Sequence, residues 1–273
     1  MHTSRRPNRL ALVFAASLAL LLSGQALGIT WGSPDGDDHP YVGAYVITTE
    51  DGETFPICSG TMLSPTIFVT AAHCPYAGDL FFGPHDTFVT LESDWDPDGD
   101  PQTWTGLHAG TPVAHPAFPG PQSDPYDLAV VILDEPVALS QYGQLPTAGL
   151  LTDVARQNGL KGQEFTNVGY GALERTIGEG RPAFGFDTLR RQSTSTFQSL
   201  TRSWLTLSQQ PSTGDGGTCY GDSGGPQFLG GPESNLIVSI TITGDAQCTA
   251  TNRAYRLDTP VARDFLGQFV ELP

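Results

Sequence analysis

The stretch that decides the fold is Gly221-Asp222-Ser223-Gly224-Gly225-Pro226. Glycines on both sides of a serine allow the backbone and a substrate carbonyl to approach it closely. A serine acts as a nucleophile when a general base lies within hydrogen-bond reach and an acid orients that base. Ser223 is therefore a candidate nucleophile, and the rest of the chain must supply a histidine and a carboxylate.

Chain order separates two interpretations of this motif. The motif also fits the Gly-x-Ser-x-Gly elbow of α/β-hydrolases, in which the acid and then the histidine follow the serine. The last histidine of this chain is His115, so no histidine follows Ser223. Chain order thereby excludes the elbow.

Two further motifs supply the base and the acid. Thr70-Ala71-Ala72-His73-Cys74 places a histidine after a β-rich run. Asp127-Leu128-Ala129-Val130-Val131-Ile132-Leu133 places an acid at the head of an apolar run typical of a buried strand. Asp124 is a nearby competitor for the acid, but the strand motif begins at Asp127 and favours it. The order along the chain is then histidine, aspartate, serine.

In this order the three motifs resemble the trypsin/chymotrypsin family of serine endopeptidases, over essentially all of residues 29–273. The resemblance implies an all-β fold of two packed antiparallel six-stranded β-barrels with a C-terminal helix. It implies that His73 is the general base, that Asp127 fixes its tautomer, and that Ser223 attacks the scissile carbonyl. The expected function is that of a secreted serine endopeptidase working through an acyl-enzyme.

The resemblance assigns further roles around the nucleophile. The backbone N–H groups of Gly221 and Ser223 would form the oxyanion hole. Family members mature by exposing a new N-terminus, whose ammonium pairs with the aspartate before the nucleophile. Ile29-Thr30-Trp31-Gly32 resembles that terminus in part. Ile29 and Asp222 are therefore expected to form the activating pair.

Four cysteines allow three pairings on the residues alone: Cys58, Cys74, Cys219 and Cys248. The resemblance implies that Cys58–Cys74 ties down the loop bearing the histidine and that Cys219–Cys248 braces the specificity pocket. The third pair common in vertebrate members is absent. Its absence argues against close kinship with them and favours a microbial member.

The specificity pocket departs from the family pattern. Trypsin-like members select Lys or Arg with an Asp six residues before the nucleophile, where this chain has Gly217, followed by Thr218. An uncharged substrate side chain is therefore expected, although Asp215 keeps Lys/Arg cleavage open as an alternative. Ile242-Thr243-Gly244 replaces the family's usual Ser-Trp-Gly. Arg253 lies near the position where the family usually has a small pocket residue. Its side chain either enters the pocket or faces solvent.

Residues 1–28 are expected to be a secretory signal peptide. Three arginines precede an apolar run over 10–22, and Ala26-Leu27-Gly28 offers small residues at a cleavage site. The run is shorter than the roughly 20 residues that span a bilayer. A cut after Gly28 would itself create Ile29 as the N-terminus, whereas a cut after Ala26 would leave a two-residue pro-sequence.

Composition supports this interpretation and excludes others. The 273 residues include 32 Gly and 22 Pro and only 15% charged residues, which does not suit a helical bundle. Hydrophobic residues make up 38% of the chain, enough to bury a core. The formal net charge is −16, and −19 without residues 1–28, which contain three Arg and no acid. Nucleic-acid binding, which depends on Lys and Arg, is not expected.

Short β-rich runs separated by Gly, Pro, Asp and Ser are typical of a sandwich or barrel. The predicted runs are Tyr41–Thr48, Thr66–Thr70, Thr87–Leu91, Leu128–Leu133, Phe165–Tyr170 and Leu236–Thr243. Helical spacing of apolar residues appears only over 260–271, with Asp258 or Thr259 as its cap. The expected domains are a first barrel over about 29–140, a second over about 141–258, and the helix over about 259–271.

Neither a metal nor an organic cofactor is expected. The expected partners are protein or peptide substrates of a monomer that binds no membrane after signal removal. The acidic loop Asp94–Asp100 opens like a calcium loop, but its twelfth position is Thr105, where a Glu is needed. A solvated loop is therefore favoured over weak calcium binding. Two alternative functions stay open, an inactive protein-binding homologue and an esterase-like hydrolase on the same fold.

Overall fold

Two antiparallel sheets, each closed into a barrel, dominate the part of the chain that the structure describes. This computed structural model describes residues 29–95, 106–178 and 181–273, so the expected signal peptide and most of the acidic loop lie outside it. The elements are β1 (Ser33–Pro34), β2 (Val42–Thr49), β3 (Thr54–Met62), β4 (Ile67–Thr70), α1 (His73–Phe82), β5 (His85–Thr90), β6 (Leu107–Ala114), β7 (Ala129–Leu133), α2 (Leu150–Arg156), β8 (Glu164–Gly169), β9 (Arg175–Gly178), β10 (Arg181–Phe184), β11 (Arg191–Leu200), β12 (Trp204–Ser208), a 3-10 turn (Pro211–Thr213), β13 (Pro226–Leu229), β14 (Ile237–Gly244), β15 (Thr251–Arg256) and α3 (Pro260–Leu266).

Six strands close each barrel, which confirms the predicted architecture. The first barrel has the order β2-β3-β4-β7-β6-β5. The second has the order β8-β11-β12-β15-β14-β13 and closes because β8 pairs with both β11 and β13. Every predicted strand run is present, with its ends within two residues of the expected ones. No helix among the described residues has the length and apolar character to cross a membrane.

One apolar core joins the two barrels. Tyr45 and Val130 of the first barrel belong to the same buried cluster as Phe228 and Ile240 of the second, and Phe265 of α3 packs with them. Burying one large apolar side chain contributes about 1.5–3 kcal/mol. The shared cluster therefore fixes the barrels against each other and gives the cleft between them firm walls.

The helices correct the sequence prediction. The expectation of no helix before the C-terminus is wrong, because α1 and α2 are both helical. The helix α1 lacks an apolar stripe facing the core, since Tyr76, Leu80 and Phe81 are exposed. The C-terminal helix begins as predicted, with the Thr259 hydroxyl accepting the Ala262 N–H at 3.2 Å, but α3 ends at Leu266 rather than near 271.

The N-terminal segment contacts the second barrel. Strand β1 pairs with β11 through Ser33 and Pro34. Arg190, just before β11, is buried between the barrels and bonds to Asp35 through Nε and Oδ2 at 2.8 Å. Its guanidinium also donates to the carbonyls of Val42 at 3.1 Å and Leu91 at 3.0 Å. Arg190 thus ties this segment to both barrels.

A buried carboxylate balances this guanidinium. His39 Nδ1 lies 2.5 Å from Asp35 Oδ1. Burial alone would raise the pKa of Asp35, but hydrogen bonds and charge from His39 and Arg190 outweigh burial and hold the pKa below its ordinary value. A buried charge is tolerated when it is paired and hydrogen-bonded.

Removal of this guanidinium tests the role of the cluster. Arg190→Leu is expected to lower the free energy of unfolding by about 3–5 kcal/mol, because it removes the guanidinium that balances the buried charge of Asp35 and leaves only His39 as its partner. Arg156→Leu is the matched control, since its pair with Asp153 is solvent-exposed and such pairs contribute about 0–1 kcal/mol. Urea unfolding of both variants measures the difference. Equal, small losses would contradict an essential role for Arg190.

Candidate active site

His73 is held by Asp127 at two points. Asp127 Oδ2 lies 2.8 Å from the ring Nδ1, and Oδ1 accepts the backbone N–H of His73 at 2.8 Å. The second bond satisfies one of the free amides at the start of α1, where Ala72 offers no side-chain cap. Because a carboxylate only accepts hydrogen bonds, Nδ1 donates and Nε2 is left as the proton acceptor.

Strand pairing brings the two residues together. The last residue of β4, Thr70, pairs with Ala129 at the start of β7. The chain leaves β4 into α1 at His73, and Asp127 lies just before β7, so both side chains emerge at one end of this strand pair. Asp124 contacts another group, since its Oδ1 accepts the hydroxyl of Tyr255 at 2.8 Å.

The loop of Ser223 packs against the first barrel. The Ser59 N–H on β3 donates to the Ser223 carbonyl at 2.8 Å. Gly224 has φ +80°, and a Cβ there would lie 2.2 Å from Thr70 Oγ1, so only glycine fits. Among the described residues no hydrogen bond joins the Ser223 hydroxyl to the His73 ring, as is common before substrate binds.

Two amide groups beside the nucleophile have no partner within the described part of the chain. The N–H groups of Gly221 and Ser223 donate to none of its carbonyls or side chains. The turn that presents them is closed by the bond from Asp222 N–H to the Cys219 carbonyl at 3.1 Å. Gly221 has φ +98°, which favours glycine. These amides are available to an oxyanion.

Comparison with known proteins identifies the family. The family model described as Trypsin matches residues 30–266. The chain belongs to the trypsin family. A solved structure of HL collagenase is similar to it with a TM-score of 0.61 and 18% identity, over 87% of this chain and 96% of that one. At this identity the likeness shows the fold. No curated protein matches the sequence. Family and fold together support a peptidase function.

The two disulfides lie beside the site in the pairings that the family resemblance implies. Cys58–Cys74 joins β3 to α1 next to His73. Cys219–Cys248 joins two loops around a cavity of about 210 Å³ beside Ser223. Cys58, Cys74 and His73 lie close enough together to suggest a metal cluster, but both sulfurs are bonded to each other and cannot ligate an ion as thiolates.

The cavity contains only part of the predicted specificity pocket. Thr218 and Gly244 line it. Gly217 does not, because its Cα faces Gln209, and a Cβ at position 217 would lie 2.1 Å from the Gln209 Cβ. Arg253 does not line the cavity either, because its guanidinium lies 4.5 Å from the centroid of the Trp204 ring. Two of the four predicted pocket residues, Gly217 and Arg253, therefore lie outside this cavity.

Two residues in or next to this cavity were not predicted, Asp245 in its lining and Gln209 behind Thr218. Gln209 is fully buried, and its Oε1 accepts the Thr218 N–H at 3.0 Å. Asp245 lines the cavity and accepts amide N–H groups from Ala250 and Thr251, both at 2.8 Å. Burial would raise the pKa of Asp245, but these backbone donors hold it below its ordinary value. The cavity thus contains one carboxylate, which the local backbone already solvates.

Asp222 is buried without a cation. Its carboxylate accepts the N–H groups of Gly171 and Cys219, both at 2.8 Å, and no ion pair reaches it from the described residues. A Cβ at Gly169 or Gly171 would lie within 2.4 Å of this side chain. Burial raises the pKa of Asp222 to about 7, although the two amides act in the opposite direction.

The predicted N-terminus lies beside the same loop. Ile29 is fully buried, and the Thr30 carbonyl accepts the Gly217 N–H at 2.9 Å. The Trp31 N–H donates to Glu174 Oε2 at 3.3 Å. While the peptide bond before Ile29 is intact, its nitrogen is an uncharged amide and cannot balance the carboxylate of Asp222.

The raised pKa of Asp222 predicts a pH effect on stability. Unfolding lowers this pKa from about 7 towards 3.8, so in the uncleaved chain the contribution of Asp222 to stability is greatest below about pH 4 and is lost as pH rises towards 7. The slope attributable to Asp222 approaches about 1.4 kcal/mol per pH unit. Asp222→Asn is expected to remove this part of the fall in Tm, measured in chains that retain residues before Ile29.

An exposed acid provides the control for that measurement. Glu233→Gln, on the surface of the second barrel, should keep the wild-type dependence of Tm on pH. If the Asp222→Asn protein kept the wild-type dependence of Tm on pH, the claim that Asp222 is buried without a cation would be contradicted.

Proposed function

We propose that this chain is a secreted serine endopeptidase in which His73, Asp127 and Ser223 act together. The observation that carries the proposal is the two-point contact between Asp127 and His73. It lies at the end of β4, and the neighbouring strand β3 bonds to the loop of Ser223 through Ser59. This contact fixes the ring and leaves Nε2 free to take a proton. The two disulfides support export, because such bonds persist in oxidising compartments.

The reaction proceeds in two halves. As Ser223 Oγ bonds to the scissile carbonyl carbon, its proton passes to His73 Nε2, and the carbonyl oxygen becomes an oxyanion. The amides of Gly221 and Ser223 donate to that oxyanion. The imidazolium then protonates the leaving amine, and the acyl-enzyme remains. Water, deprotonated by the same ring, hydrolyses the ester and restores the serine.

Maturation supplies the missing charge. Cleavage before Ile29 creates an ammonium, which enters the protein and pairs with Asp222. The pair stabilises the turn that presents the amides of Gly221 and Ser223. The buried, cation-free carboxylate and the burial of Ile29 support this step. Cleavage by signal peptidase after Gly28 would activate the enzyme directly.

The pocket is proposed to take an uncharged side chain. Position 217, where trypsin-like members carry the selecting aspartate, is a glycine that faces Gln209 outside the cavity, so it places no counter-charge there. Asp245 is the observation that favours the alternative, a Lys or Arg residue, because it lines the cavity and carries a carboxylate. Its backbone donors already stabilise that charge, so an uncharged residue is preferred.

Asp127→Asn tests the triad. It is expected to lower kcat by about 10⁴-fold, because a carboxamide favours the wrong tautomer of the His73 ring. Asp124→Asn is the matched control and should retain kcat, since Asp124 bonds to Tyr255. Steady-state hydrolysis of a quenched peptide measures both. Equal losses in the two variants would contradict the assigned role of Asp127.

A substrate panel tests the pocket and the alternative functions. In peptides that differ only at the residue before the scissile bond, kcat/KM should be highest for apolar or aromatic residues and lowest for Lys and Arg. A preference for Lys or Arg would contradict an uncharged pocket and indicate that Asp245 recognises the substrate side chain. If the protein hydrolyses esters but not peptides, the esterase-like function is indicated. If the protein beginning at Ile29 hydrolyses neither, the inactive protein-binding homologue is indicated.

A further inference from the structure

The charges of the chain are divided unevenly between the two barrels. Residues 29–140 contain 17 Asp and Glu and no Lys or Arg, whereas residues 141–273 contain 12 acidic and 10 basic residues. The proposed reaction uses only Asp127 among these 17 acids. A barrel with charge of one sign attracts partners of the opposite charge.

One cleft of the first barrel combines these acids with exposed aromatic rings. The aromatic cleft, defined by Phe55, Phe81, Phe82 and Pro84, lies between the β2–β3 turn and the end of α1 and has a volume of about 430 Å³. The rings of Phe55 and Phe82 pack with centroids 5.2 Å apart. Phe81 is 75% exposed. Exposed apolar surface of this kind marks interaction sites.

Carboxylates surround the aromatic cleft. Glu50, Asp51 and Glu53 line it, and neither Glu50 nor Glu53 forms an ion pair with any described residue. Asp86 borders the adjoining depression together with Glu50. A second copy of the chain or an anionic lipid surface would bring further negative charge to this rim. A segment with basic side chains and one large apolar side chain complements both features.

Two elements lead from the catalytic groups to the aromatic cleft. On β3, Ser59 bonds to the Ser223 carbonyl, and Phe55 lies four residues away, about 13 Å along the strand. On α1, Phe81 lies eight residues after His73, about 12 Å along the helix. About four residues of extended substrate span this distance. The cavity for the residue before the scissile bond is lined by the second barrel, so the cleft lies towards the other end of the substrate.

We propose that the aromatic cleft is a second substrate-binding site, which holds a segment with Arg or Lys and one large apolar residue about four positions after the scissile bond. The inference rests on the proposed endopeptidase function. The site would favour basic proteins over acidic ones independently of the pocket beside Ser223.

Two quenched peptides test the site in the protein beginning at Ile29. They are identical up to the second residue after the scissile bond and continue with Arg-Phe-Arg or Gln-Ser-Gln. The first should show about tenfold higher kcat/KM, since exposed charge pairs each contribute a few-fold, and added salt should reduce the ratio. Glu50→Gln with Glu53→Gln should bring the ratio close to one, and Phe81→Ser should separately lower it.

Matched variants on the second barrel are the controls. Glu233→Gln and Phe186→Ser alter an exposed acid and an exposed aromatic residue and should keep the wild-type ratio. A wild-type ratio of one, or a ratio that survives the cleft substitutions, would overturn the second site while leaving the endopeptidase intact. Failure of the wild type to hydrolyse either peptide or a short ester would overturn the proposed function, and the site with it.

Discussion

The buried carboxylate of Asp222 is the constraint on which the site depends. A charge moved from water into a protein interior costs several kcal/mol unless it is paired. Gly169 and Gly171 leave just enough room for this side chain, and its oxygens hold the Gly171 and Cys219 amides at 2.8 Å. In the proposed mechanism, balancing the charge of Asp222 stabilises the turn that carries the oxyanion amides and the nucleophile. Cleavage before Ile29 provides that balance in the proposed mechanism.

The two barrels make different contributions to the same cleft. The first presents a histidine already oriented by Asp127, because β4 and β7 pair where both residues emerge. The second presents Ser223 on a glycine-rich turn that packs against β3. Their shared core and the buried guanidinium of Arg190 keep these halves in register. The same contacts would keep the proposed aromatic cleft of the first barrel at a fixed distance from Ser223.

Local patterns predicted much of this structure, and long-range contacts account for what they missed. Short apolar runs with turn residues between them identified six strands, and motif order predicted which histidine and aspartate would meet. The helix α1 was missed because its large apolar residues face solvent. Gln209 was missed because it meets Gly217 through tertiary packing. Arg253 was predicted to lie in the pocket, but its side chain packs on Trp204 instead. The strand β14, which pairs with β15 at Arg253, has an irregularity in register between Thr241 and Thr243. Bulges of this kind change strand twist and side-chain direction, and sequence periodicity does not reveal them.

Covalent labelling of the nucleophile tests the central claim most directly. An organophosphorus reagent specific for activated serines should modify protein beginning at Ile29 once per chain, at Ser223, as located by mass spectrometry of peptides. Protein that retains Gly28 should react far more slowly, because the charge of Asp222 is not balanced. Labelling at another residue, or no labelling of the protein beginning at Ile29, would contradict the account.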